Sequence, residues 1–147
     1  MSSSREDLKK KLMDIEDTAE VTVRFSDVDA GGIVHFRNYL IYLDDGFVHL
    51  INFFTCNTPF KDLVHKGILF PVRNVEVSYD HSAIFGDIII VKSRIIDIGN
   101  TSFTFYHEMF RKSNMQLLAK GTCVRMIMDM SKKKLLNVLD FFSSCMV

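Results

Sequence analysis

Residues 23–40 read VRFSDVDAGGIVHFRNYL, and in this stretch a strand pattern gives way to a carboxylate turn, two glycines and the start of a long apolar helix. Val21, Val23 and Phe25 alternate with Thr22 and Arg24, as a half-buried strand does. Asp29 is followed by Ala30, Gly31 and Gly32, so the backbone there reaches conformations closed to branched residues and can approach a ligand closely. The helix beyond offers unpaired N–H groups and a partial positive end, which suit a carbonyl oxygen gaining negative charge. The same residue types also build ordinary surface turns. On pattern alone, a catalytic and a structural turn both stay open.

Downstream, Leu40, Ile41, Leu43, Phe47, Leu50, Ile51 and Phe54 recur at spacings of three and four, which predicts one long helix from Asn38 to about Phe54. Asp44 and Asp45 interrupt its stripe. Gly46 costs up to ~1 kcal/mol of helix propensity, so close packing against a sheet or a partner helix is expected there. Thr58 and Pro59 mark a loop, and a short helical segment runs up to Gly67. Strand patterns follow over Val72–Tyr79, Asp87–Ile98, Thr101–Arg111 and Leu117–Met130. In the first of these Val75, Val77 and Tyr79 share a face. Gly99 with Asn100, and Ser113 with Asn114, punctuate two hairpins. One strand, a long helix and four antiparallel strands give an α+β order in which a sheet can curl around the helix. The charged opening segment, about residues 4–15, reads as a short surface helix. With no internal repeat, residues 1–147 are expected to form a single domain.

A hydrophobic fraction of 48% with only two prolines argues against disorder. Thirteen phenylalanines, eight methionines and no tryptophan indicate a soft interior, an apolar pocket or a subunit interface. Apolar runs such as Ile88–Val91 offer more faces than one small core covers, which predicts an oligomer. Eighteen basic and eighteen acidic residues cancel, so no global field draws nucleic acid. Lys132–Lys134 reads chiefly as a solvated turn, with a nucleotide-phosphate contact as the lesser reading. Cys56, Cys123 and Cys145 are odd in number, and neither they nor His49, His65, His81 and His107 show metal-site spacing, so no metal is expected. The opening MSSSREDLKKK lacks the apolar stretch of a secretion signal, and no run reaches the ~20 residues of a membrane span. A reducing, cytoplasmic setting without membrane attachment is the expectation.

The order Phe25, Asp27, Asp29, Ala30, Gly31, Gly32, Ile33, Val34, Asn38 and Tyr39 resembles the signature of the 4-hydroxybenzoyl-CoA thioesterase branch of the hotdog-fold acyl-CoA thioesterases. The similarity continues in Gly67, Pro71 and Val72, then in Tyr79, Ala83, Gly86 and Asp87, and fades in about the first and last fifteen residues. The resemblance implies a hotdog fold, a curled antiparallel sheet wrapped around one long central helix. It also implies hydrolysis of a small aryl- or acyl-CoA thioester to free acid and CoA, with no cofactor beyond the CoA of the substrate. The implied assembly is a homodimer, paired again into a tetramer, with the active site at the subunit boundary.

Carried over residue by residue, Asp29 matches the catalytic aspartate, as nucleophile on the carbonyl or base on water. The backbone amide of Phe36 matches the oxyanion donor. Asp27 supports the loop, and Gly31, Gly32, His35, Tyr39 and Asp44 support the site or touch substrate. Arg73, Arg94, Arg111 and Lys120 are the candidates for the CoA phosphates. One subgroup, the Tol-Pal-linked enzymes, carries a functional histidine where this chain has Phe36, a departure from that subgroup; other relatives share Val34-His35-Phe36. Ser82 stands where relatives often have proline. Two alternatives use the same scaffold: a thioesterase acting on acyl carrier protein, and a non-catalytic CoA-binding hotdog protein.

Overall fold

A computed structural model describes residues 2–55 and 58–145, so Cys56 lies outside the described residues. Helix α1 (Ser2–Met13) leads into β1 (Glu16–Thr22). Ala19 of β1 turns inward while Glu16, Thr18, Glu20 and Thr22 face out. The alternation stops sooner than the sequence predicts: Val23 is buried, but Phe25 is 77% exposed at the start of a 3-10 turn over Phe25–Asp27. A second such turn, Phe36–Asn38, runs into the central helix α2 (Tyr39–Phe54). The predicted helix is present, but its buried stripe is Tyr39, Tyr42, Leu43, Gly46, Phe47, Leu50, Ile51 and Phe54. Leu40 and Ile41 are exposed, because the two tyrosines occupy the inward positions of the first turns.

Then come α3 (Phe60–His65), β2 (Ile68–Leu69), β3 (Val72–Tyr79), β4 (Ile88–Ile98), β5 (Ser102–Arg111), β6 (Gln116–Met126), β7 (Met128–Asp129), β8 (Lys134–Leu135) and α4 (Val138–Cys145). The main sheet is antiparallel and five-stranded, in the order β1-β4-β5-β6-β3. The expected curled sheet wrapped around the helix is corrected. The sheet is open, β1 and β3 are separate edges, and α2 lies against one face. That face carries Val91, Ser93 and Ile95 of β4 and Phe105, His107 and Met109 of β5. The rest of the core is closed by added elements instead of sheet curvature. Leu12 of α1, Leu63 of α3, Phe70, Ile127, and Val138, Phe141 and Phe142 of α4 cluster with Phe47, Phe54 and Phe103. The strand predicted to continue to Met130 breaks at buried Ile127, and β7 joins β2 and β8 in a small second sheet. Among the described residues no helix is long and apolar enough to cross a membrane.

Candidate active site

Residues 28–34 form a tight hairpin closed by antiparallel pairing of Val28 with Val34. At its tip the Asp29 N–H donates to Ile33 O at 2.9 Å and the Gly32 N–H donates to Asp29 O at 3.0 Å. Gly32 sits at φ +79°, in the left-handed region that glycine enters without steric penalty. The Gly31 N–H donates to Asp29 Oδ1 at 2.8 Å, which orients an otherwise exposed carboxylate.

Beneath the hairpin, Asp27 is 2% exposed. Its carboxylate accepts from the Arg24 N–H at 3.0 Å, the Arg24 guanidinium at 3.0 Å and the Tyr42 hydroxyl at 2.9 Å. Its carbonyl accepts from the His35 N–H at 3.1 Å and from Asn38 Nδ2 at 2.7 Å. Burial pushes the Asp27 carboxyl upward, but the hydrogen bonds from Arg24 and Tyr42 outweigh it and hold the group below the usual carboxylate range. Burial and the bond to Asp27 both raise Tyr42.

The hairpin is tied to the segment after β3. Ile33 bridges Ile84, and the Val34 N–H donates to Ala83 O at 2.9 Å. The Ala83 N–H donates to the Tyr39 hydroxyl at 3.0 Å, and the Tyr79 hydroxyl donates to Phe36 O at 3.2 Å. Between these parts lies a cavity of about 380 Å³, bordered by Asp29, His35, Phe36, Tyr39, Tyr79 and His81 among others. Phe36 opens the 3-10 turn ahead of α2, and among the described residues its N–H has no acceptor. His35 accepts the Arg37 N–H at Nδ1 (3.3 Å) and stacks on the Phe36 ring, centroids 4.7 Å apart.

The structure therefore brings Asp29, Phe36, His35 and Tyr39 together around one cavity, with Gly31 and Gly32 shaping the tip and Asp27 below it. Asp44 is elsewhere, ion-paired with Arg125, whose guanidinium lies 3.9 Å above the Phe47 ring. None of the four basic candidates borders the cavity. Arg111 gives Nε to Asp87 at 2.9 Å, Nη2 to Ser82 O at 2.7 Å and Nη1 to Gln116 at 2.5 Å, so it clamps the 80–87 loop. Arg94 rests over the Tyr106 ring at 5.3 Å, and Lys120 lines a shallow groove with Glu76 and Tyr106. Arg73 is exposed on the edge strand β3. Besides Ile33 and Val34 of the hairpin, Tyr79, Asp80, His81 and Ser82 are the cavity residues that sequence reasoning left out of the site. Their signal was the run from Tyr79 to Gly86 and Asp87, but only the Val34–Ala83 hydrogen bond and the Ile33–Ile84 bridge show that it meets the hairpin. Among the described residues no cluster of three or more His, Cys, Asp or Glu side chains could hold a metal ion.

Residues 23–144 match the family model of the thioesterase-like superfamily. YneP of Bacillus subtilis is 26% identical over 110 residues, covering 75% of this chain and 78% of its own. The acyl-CoA thioesterase YbgC of Haemophilus influenzae is 25% identical over 117 residues, covering 78% of this chain and 82% of its own. Among solved structures, the DHNA-CoA thioesterase of Staphylococcus aureus superposes with a TM-score of 0.78 at 18% identity, over 88% of this chain and 85% of that one. That last likeness establishes a shared fold. With a family match spanning the hairpin, the central helix and all the long strands after it, the chain belongs to the thioesterase-like superfamily, in its hotdog-fold form.

Proposed function

We propose that the protein hydrolyses a small aryl- or acyl-CoA thioester to free acid and CoA, with Asp29 as nucleophile or general base and the Phe36 N–H as oxyanion donor. The observation that carries this reading is that an oriented carboxylate and an amide with no acceptor among the described residues border the same cavity. A carboxylate with one oxygen fixed by Gly31 keeps its other oxygen for the carbonyl carbon or for water. An amide that donates to a developing oxyanion stabilises it by about 3 kcal/mol where bound substrate excludes water. The cavity volume lies within the ~300–1,000 Å³ range of small-molecule pockets, and its aromatic walls suit a compact acyl group. The acyl-CoA and aryl-CoA names of its relatives agree. The reading includes a cytoplasmic setting.

The reading includes a homodimer, paired again into a tetramer. In support, β3 is a sheet edge bearing exposed Val72, Val75 and Tyr79, an arrangement that invites strand pairing unless it is covered. Arg73 on that edge is then the candidate best placed to meet CoA phosphates at a subunit boundary. Thiol release from a panel of aryl, branched, short and long acyl-CoA esters tests the activity. Asp29→Asn is expected to lower turnover by ~10²-fold with an unchanged melting temperature, since the side chain is exposed. Wild-type turnover in that variant rejects the role. Cleavage of acyl-carrier-protein thioesters alone would move the substrate class to the carrier protein, and hydrolysis of neither would leave a binding protein.

A further inference from the structure

We propose that His81 is the base that deprotonates the hydrolytic water, an inference that rests on the thioesterase reading and deepens it. Two imidazoles border the cavity, and the backbone fixes them in opposite tautomers. His35 Nδ1 accepts the Arg37 N–H at 3.3 Å, so the neutral ring holds its proton on Nε2 and offers only a donor there. His81 Nδ1 lies 3.2 Å from the carbonyl oxygen of Leu117, which can only accept. The His81 proton therefore sits on Nδ1 and the lone pair on Nε2. The ring is held on a fixed mount, because the N–H groups of Asp80 and His81 both donate to Leu118 O, at 2.8 and 3.0 Å.

A base separate from Asp29 is needed if the carboxylate is the nucleophile. Asp29 Oδ1 is held by Gly31, and Oδ2 attacks the thioester carbon. The C–S bond breaks, its electron pair leaves on the thiolate, and the acyl group remains on Asp29 as an anhydride. The carboxylate can no longer take a proton. Water then attacks the acyl carbon while one of its protons moves to His81 Nε2, and the acyl–Oδ2 bond breaks to restore the carboxylate. The thiolate takes a proton from solvent and the imidazolium returns one, so thioester and water become acid and thiol. His35, a donor at Nε2 in the tautomer that its Arg37 contact assigns, is not suited to this step. His65, exposed at the end of α3 and outside the cavity lining, serves as the control.

His81→Asn is the decisive variant, because its amide can keep a donor to Leu117 O while removing the base. With a hydrolysable acyl-CoA it is expected to release one equivalent of thiol per site in a burst, then turn over about 10²-fold more slowly than wild type. The peptide containing Asp29 should carry the acyl mass. His81→Ala should behave likewise and regain turnover with added imidazole, and His65→Asn should match wild type. Steady-state turnover at the wild-type rate in His81→Asn, or slow turnover with neither burst nor acylated peptide, overturns the inference while leaving the thioesterase reading intact. Absence of thiol release by the wild-type protein from every thioester overturns that reading, and this inference with it.

Discussion

The Tyr42 hydroxyl, one turn into the central helix, donates to Oδ2 of buried Asp27 at 2.9 Å. This bond ties the helix to the foot of the hairpin that carries Asp29. The same carboxylate receives the Arg24 N–H, and its residue's carbonyl receives the His35 N–H immediately before Phe36. Asp27 thus fixes both ends of the 28–35 segment without bordering the cavity itself.

Removing the Tyr42 hydroxyl takes away one hydrogen bond to a buried charge, which in general contributes about 1.5–3 kcal/mol. Tyr42→Phe and Asp27→Asn are therefore expected to lower thermal stability clearly, with a smaller loss of turnover than Asp29→Asn. Because Asp27 is held below its ordinary range, the unfolded chain binds its proton first as pH falls. Its stabilisation is present above the ordinary carboxylate pKa of about 4 and is lost as pH drops through the lower folded value. Denaturant melts of Asp27→Asn across acid pH should lack that component. Unchanged melts for Tyr42→Phe would remove Asp27 from this structural role.

The two hairpin glycines should separate activity from stability. A Cβ at Gly31 would stand 3.2 Å from Asp29 Oδ1, tight enough to shift the carboxylate. A Cβ at Gly32 would meet nothing, but the residue would be held at φ +79°. Gly31→Ala is thus expected to reduce turnover with little change in melting, and Gly32→Ala to cost about 1 kcal/mol through backbone strain. Parallel kinetics and denaturant melts on both variants check the distinction; the reverse pattern contradicts it.

Legibility in the sequence followed contiguity. Asp29, His35, Phe36 and Tyr39 could be put forward together because they share residues 23–40, the run on which the family resemblance rests. Tyr79 to Ser82 reach the site through the Val34–Ala83 and Ile33–Ile84 contacts, which no local pattern announces. The clamp made by Arg111 depends on Asp87, Ser82 and Gln116 together, so the residue looked from sequence like any free cation. The open sheet was hidden for a related reason. Strand periodicity tells which faces are buried, and the covering by α1 and α4 arises from both chain ends meeting one core.

Gly46 supplies the close approach its place in the helix required. A Cβ there would stand 2.6 Å from Val91 Cγ1 and 2.7 Å from Ser93 Oγ on β4. Gly46→Ala gains up to ~1 kcal/mol of helix propensity but forces α2 away from the sheet, and overpacking of this kind costs about 1–3 kcal/mol. The net expectation is a lower melting temperature, and an increase would show that the helix can rise off β4 freely.

Below Gly46, His107 is fully buried, with Nδ1 2.7 Å from Ser93 Oγ and Nε2 without a partner among the described residues. Burial, followed by repulsion from Arg125, pushes its pKa down to about 3. Between that value and the ordinary histidine value of about 6.5, the unfolded chain binds a proton that the folded chain refuses. Stability should therefore be undiminished by this group above about pH 6.5 and fall on acidification, by at most about 1.4 kcal/mol per pH unit. The decline begins at higher pH than the Asp27 contribution, so the two separate in one titration. Urea melts from pH 7.5 to 5 should show the slope in the wild-type protein and its loss in His107→Gln. A wild-type stability that stays flat over that interval would mean that His107 accepts its proton in the folded core.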